Sequence, residues 1–317
     1  MKLIIAFLKL IRWPNLFFIA LTQFLFYYCI VGSIFNSNHD FPVDRNWNCF
    51  FILILASLLI AAAGYIINDY FDMQIDTLNK PEKVVVDRII KRRWAIMWHW
   101  IFSAAGLILS FYVSWKTKIF SILIFNSLSV LLLWFYSTTF KKRLLIGNII
   151  ISLLTVWTII VIYIFAGASL INYSGWNALH FPFNIKRLYK LTIIYSGFAF
   201  IVTLIREVIK DLEDMQGDAQ FNCKTMPIIW GVPASKVFIA VWVIVCVCSL
   251  AIIQLYAWQT GFWTSAVYVI AAIIIPLLLV LKKLQHAEIP SDYHKISTSL
   301  KLIMMAGILS MLFFKII

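Results

Sequence analysis

Long, unbroken apolar runs alternate with short polar stretches along this chain. Nine runs stand out, at roughly 16–35, 48–67, 95–115, 119–138, 144–168, 188–205, 237–257, 262–281 and 300–316. Most are close to the ~20 residues that a helix needs to cross about 30 Å of hydrocarbon, and several are near the lower limit. Membrane β-strands would instead alternate apolar and polar positions over about ten residues, and these runs do not alternate. The pattern predicts an all-α polytopic membrane protein with nine transmembrane helices. Met1 to Asn15 lacks a small-residue cleavage site, so the first run is expected to stay in the bilayer.

Composition agrees. Hydrophobic residues make up 62% of 317 residues and charged residues only 13%, about half the charged share of a globular protein. Disordered, collagen-like and soluble two-domain readings are excluded. The net charge is +13, which in a soluble chain would suggest nucleic acid. Here the basic residues flank apolar runs and act as topological anchors, so no nucleic-acid partner is expected. With the N-terminus on the cytoplasmic side, 20 Lys and Arg fall inside and seven outside. That asymmetry predicts a multi-pass protein of the inner (cytoplasmic) membrane with its N-terminus in the cytoplasm. Tryptophans such as Trp94, Trp98, Trp115, Trp134, Trp258 and Trp263 near run ends read as an interfacial belt. The five cysteines form no disulfide or metal framework.

The acids change the picture. Ten of the 14 Asp and Glu fall in two stretches, between Asn68 and Trp94 and between Arg206 and Lys236, which the topology reads as cytoplasmic loops. Asp69, Asp72 and Asp76 stand at i, i+3 and i+7, and Asp211, Asp214 and Asp218 repeat that spacing 142 residues later. On a helix these offsets share one face. The second set lies four runs further along, so both segments leave the membrane in the same direction. This predicts two four-helix pseudo-repeats, about 1–143 and 144–285, plus a ninth helix at about 300–316, in one membrane-embedded domain. Three carboxylates on one face repel unless a cation neutralises them. Oxygen ligands without nearby His or Cys suit Mg²⁺, which bridges a few carboxylates to phosphate oxygens. The expectation is a Mg²⁺–diphosphate site at the mouth of an apolar bundle. A long isoprenoid diphosphate fits it, with the tail among helices and the C1–O bond ionising at the metal end.

These residues resemble the UbiA superfamily of intramembrane prenyltransferases. The first signature is Asn68-Asp69-x-x-Asp72-x-x-x-Asp76. The second is Arg206-Glu207-x-x-Lys210-Asp211-x-x-Asp214-x-x-Gly217-Asp218, followed by Lys224 to Gly231. Arg12-Trp13-Pro14-Asn15 and Tyr136-Ser137 to Lys141-Lys142, with Gly147-Asn148, match weaker family segments. The resemblance implies that the six aspartates hold Mg²⁺ and diphosphate. It makes Asn15, Asn68 and Tyr136 polar substrate-site residues, and it makes Lys141 and Lys210 neutralise diphosphate charge. Lys83 stands where many relatives carry an arginine, and it would offer a point charge rather than a bidentate fork. The implied partners are a polyprenyl diphosphate, a lipophilic acceptor and membrane lipid. The second signature most resembles the digeranylgeranylglyceryl phosphate synthase branch, which points to a prenylglyceryl phosphate acceptor. The alternatives are a quinone precursor or other aromatic acceptor and, in another class, a cation-coupled transporter. Transporter acids usually lie mid-span in broken helices, whereas these cluster at one surface.

Overall fold

The computed structural model describes residues 2–35, 47–79, 81, 84–174 and 182–316, with the backbone alone at 168–174, 182–184 and 316. An N-terminal helix, α1 (Lys2–Leu10), precedes the helices long and apolar enough to cross a membrane. Nine of these are present among the described residues. They are α2 (Trp13–Phe35), α3 (Trp47–Asn79), α4 (Arg92–Thr117), α5 (Phe120–Thr138), α6 (Ile146–Ser174), α7 (Pro182–Gln220), α8 (Gly231–Gln259), α9 (Trp263–His286) and α10 (Pro290–Lys315). No strand occurs among the described residues; a single bridge joins Val86 to Ile90.

Two helices overrun their apolar segments. α3 has 33 residues and α7 has 39, while about 20 suffice to cross the hydrocarbon. The polar extensions carry the aspartates, so the stretches read as loops begin as helix. The reason is local: hydropathy marks where a membrane would end, not where the helix ends. Residues 68–79 contain neither Gly nor Pro, and 206–220 contain only Gly217. α3 stops just before Pro81, as a following proline disfavours helix. Asn222 beyond α7 adopts φ 53, an αL position that asparagine tolerates.

The chain forms two compact units, Met1–Phe140 with Trp157–Thr192, and Lys141–Val156 with Ile193–Ile317. The first unit packs α3 closely against α4. A Cβ at Gly106 would lie 2.7 Å from Ile60 Cγ1 and 3.2 Å from the Ala56 carbonyl oxygen, so only glycine permits this approach. Tyr27, Phe50 and Phe165 form a buried ring cluster, with Tyr27 stacked on Phe50 at 4.1 Å. One chain of polar groups is paired across helices. Trp157 Nε1 donates to Asn126 Oδ1 at 2.7 Å, and Asn126 Nδ2 donates to Ser110 Oγ at 2.8 Å.

The second unit is built on α7 to α10. Val202, Ile205, Ile209 and Leu212 of α7 meet Ile239, Val243 and Cys246 of α8, Leu277 and Leu284 of α9, and Ile296 and Leu300 of α10. Tyr268 Oη donates to the Ala306 carbonyl at 3.0 Å. α9 widens into a π-helical turn at Ile270–Ile274, just before Pro276. Such a turn absorbs the missing proline N–H and its steric demand.

Candidate active site

The first aspartate face lies on the polar extension of α3. Asp69 Oδ1 accepts a 2.6 Å bond from Arg12 NH2. Arg12 sits at the break between α1 and α2 with φ 50 and ψ 53, followed at once by Trp13 and Pro14, whose ring fits the first helical turn. This bend brings the arginine back over the Tyr65 ring, at 5.3 Å from its centroid. The Asp69 charge raises the already high pKa of the Arg12 guanidinium. Asp76 is within electrostatic reach of the same arginine. Asp72 is buried, and its Oδ2 accepts a 2.6 Å bond from Asn68 Nδ2, one helical turn earlier. The Asn68 Oδ1 atom is buried and accepts no hydrogen bond among the described residues. Asn15 is half-buried in the first turn of α2, its backbone N–H donating to the Arg12 carbonyl at 2.8 Å. Tyr136 is half-buried near the end of α5. Lys83 lies outside the described residues.

The second face lies on the matching extension of α7, within the second unit. Asp211 Oδ2 accepts a 2.8 Å bond from Asn148 Nδ2. Lys141, Glu207 and Asp218 lie within electrostatic reach of Asp211. Asp214 is half-buried and Asp218 is buried. Lys210 Nζ is held by Glu207 Oε1 at 2.6 Å, and Arg206 NH1 reaches the same oxygen at 3.1 Å. The Lys224 N–H donates to the Lys142 carbonyl at 2.9 Å, tying the segment after the second signature to the basic stretch that holds Lys141. Glu213, which points away from the acidic row, is bound by His294 of α10 at 3.0 Å.

Among the described residues, no three His, Cys, Asp or Glu side chains gather closely enough to enclose a metal ion by themselves. Instead Asp69, Asp72 and Asp211 are each held by a basic or amide side chain. This donor set fits Mg²⁺ and does not fit Zn²⁺. It offers oxygen only, in ones and twos, and Mg²⁺ typically takes one or two carboxylates and completes its shell with phosphate and water. The unfilled acceptor capacity of the buried Asn68 Oδ1 fits the same chemistry.

Three residues stand out here that sequence reasoning did not place at the site. Arg12 and Asn148 belong to segments singled out as motifs, and their pairing with aspartates gives those motifs a physical purpose. Glu207 stands four residues before Asp211 and so continues the acidic row; that offset was the available signal.

Comparison with known proteins agrees with these features. The profile of the UbiA prenyltransferase family matches residues 25–298. The digeranylgeranylglyceryl phosphate synthase of Methanosphaera stadtmanae is 31% identical over 263 residues, covering 81% of this chain and 86% of that protein. The synthase of the same name from Methanococcus aeolicus is 28% identical over 286 residues, covering 89% of each. A solved digeranylgeranylglyceryl phosphate synthase has the same fold, with a TM-score of 0.62 at 23% identity over 98% of this chain and 99% of that one. A solved UbiA homolog from Archaeoglobus fulgidus, bound to DMAPP and Mg²⁺, has a TM-score of 0.57 at 16% identity, covering 96% of this chain and 99% of that one. This multi-pass membrane chain belongs to the UbiA prenyltransferase family and is a prenyltransferase.

Proposed function

We propose that the enzyme transfers a polyprenyl group from an allylic diphosphate to the free hydroxyl of a prenylglyceryl phosphate, with Mg²⁺ as cofactor. The observation that carries this reading is the second signature, Arg206 to Asp218, in a chain whose similar relatives are digeranylgeranylglyceryl phosphate synthases. Each aspartate face, Asp69, Asp72 and Asp76 on α3 and Asp211, Asp214 and Asp218 on α7, takes up Mg²⁺ together with diphosphate oxygens. The bound metal supplies electrophilic stabilisation of the charge that develops on the departing diphosphate.

The remaining work belongs to side chains. Arg12 and Asn148 orient Asp69 and Asp211. Lys141, Lys210 and Lys83 offset the diphosphate charge, and Asn15, Asn68 and Tyr136 line the reacting end. The C1–O bond breaks with its electron pair leaving on the diphosphate. The acceptor oxygen then bonds to C1, and its proton passes to the released diphosphate. Apolar helix faces exclude water, so the allylic cation meets the acceptor first.

The two identical aspartate spacings also support reading residues 1–143 and 144–285 as copies of one four-helix unit. The 20-to-seven distribution of Lys and Arg supports an inner-membrane enzyme with a cytoplasmic N-terminus and both aspartate faces on that side. A single cysteine at Lys91 in a cysteine-free background is expected to label only from the cytoplasmic side.

The functional test uses detergent-purified protein with Mg²⁺ and labelled geranylgeranyl diphosphate. It offers geranylgeranylglyceryl phosphate, hydroxybenzoate, dihydroxynaphthoate or haem as acceptor, with products identified by mass. A digeranylgeranylglyceryl phosphate product is expected. A prenylated aromatic product alone would replace the acceptor assignment.

A further inference from the structure

Glu207 extends the acidic row of α7 one turn back along the helix, but its environment differs from that of the aspartates. One carboxylate oxygen is shared by two cations, Arg206 at 3.1 Å and Lys210 at 2.6 Å. The Arg206 side chain is 13% exposed. Its Nε is buried and finds no acceptor among the described residues. One turn earlier on the same face, Thr203 is buried and its Oγ1 also finds no partner. Ser196, seven residues before Thr203, repeats the pattern. Offsets of three and seven keep all three positions on one face of α7.

Native proteins leave few buried polar atoms unpaired, and each one calls for an occupant. A buried guanidinium N–H without an acceptor is costly unless a ligand completes it. A guanidinium with free N–H donors matches phosphate oxygens in a planar fork. The aspartate faces cannot take a phosphate directly, because like charges repel without metal. Arg206 can, through its unpaired, buried Nε–H.

We propose that Arg206, with Thr203 one turn further back along α7, receives the anionic head of the prenyl acceptor, the phosphate monoester of a prenylglyceryl phosphate. This rests on the function proposed above. Arg206 thereby sets the preference for a phosphorylated acceptor, while the diphosphate substrate is held at the aspartates.

The test uses full-length protein in detergent, saturated with a non-hydrolysable prenyl thiodiphosphate and Mg²⁺. Geranylgeranylglyceryl phosphate and its dephosphorylated counterpart, geranylgeranylglycerol, are titrated separately. The native enzyme is expected to bind the phosphorylated form about 100-fold more tightly, and Arg206→Gln to reduce that preference to about threefold or less. Thiodiphosphate affinity should stay within about threefold of native. Thr203→Val keeps the side-chain shape and removes an unpaired buried hydroxyl, so it should fold even if Arg206→Gln does not. It is expected to weaken the phosphorylated acceptor by about tenfold and to leave thiodiphosphate binding alone.

An equal loss of thiodiphosphate affinity in Arg206→Gln would move the arginine to the diphosphate and overturn the inference. So would a full phosphate preference surviving in the variants, or a native enzyme that binds both acceptors equally. Native enzyme that prenylates neither glyceryl acceptor would instead remove the proposed function, and this inference with it.

Discussion

Arg12 and Asp69, 57 residues apart in the chain, meet at 2.6 Å and join the N-terminal bend to the first aspartate face. A cation already occupies the carboxylate that is proposed to take Mg²⁺, so arginine and metal compete for one oxygen set. Arg12→Gln is expected to strengthen Mg²⁺ binding to the substrate-free enzyme by about threefold to tenfold, by removing that competitor. The same variant should weaken prenyl diphosphate binding, because a positive charge beside the diphosphate is lost. Calorimetric Mg²⁺ titration reads the first effect. Unchanged Mg²⁺ affinity would mean that Asp69 takes no metal.

Asp69→Ala and Asp211→Ala occupy equivalent positions in the two spacings and should act alike. Each is expected to lower turnover by at least about 100-fold, the scale of losing one group that stabilises developing charge. Each should leave thermal stability within about 1–2 kcal/mol of native, the usual cost of a single hydrogen bond. Near-native turnover of either variant at saturating Mg²⁺ would remove that face from the site.

Asn148 touches Asp211 rather than the reacting groups. Asn148→Leu keeps the branched heavy-atom shape but removes the amide that holds the carboxylate. Loss of a side chain that orients a metal ligand typically costs about 10–100-fold in metal affinity or activity. The expected signature is a raised Mg²⁺ requirement with partial rescue at high Mg²⁺. A loss of stability without any change in Mg²⁺ dependence would make the contact purely structural.

The α3–α4 approach gives a stability prediction with an internal control. Gly106→Ala places a Cβ 2.7 Å from Ile60 Cγ1 and 3.2 Å from backbone oxygen, whereas a Cβ at Gly197 meets nothing within 4 Å. Gly106→Ala is expected to destabilise by about 1–3 kcal/mol through overpacking. Gly197→Ala should be neutral or slightly stabilising, since alanine is the better helix former by up to about 1 kcal/mol. Thermal unfolding in a common detergent compares the two.

Much of this was legible in the residues. Continuous apolar runs gave the nine spans, because backbone groups in hydrocarbon must be satisfied within a helix. The repeated aspartate spacing marked the candidate faces, because i, i+3 and i+7 has physical meaning only on a helix. What escaped were the helix ends and the partners. Residues 68–79 and 206–220 are polar but nearly free of the helix breakers Gly and Pro, so hydropathy stopped at Ile67 and Ile205 while α3 and α7 continued. The pairing of Arg12 with Asp69 depends on a left-handed residue at the start of α2, which no periodicity announces. Asn148 reaches Asp211 across 63 residues, and a single asparagine carries no spacing of its own. α1 lies ahead of the first apolar run, and its place in a buried cluster, Ala6 and Leu10 with Ile66, Val85 and Ile90, reveals a packed helix.

The central claim is that the aspartate faces bind the prenyl diphosphate through Mg²⁺. The most direct measurement is a calorimetric titration of a non-hydrolysable prenyl thiodiphosphate into the purified enzyme, with Mg²⁺ and with excess chelator. Carboxylates repel a bare diphosphate, so affinity should fall by at least about 100-fold, or about 2.7 kcal/mol, when the metal is removed. Equal affinity under both conditions would contradict the claim.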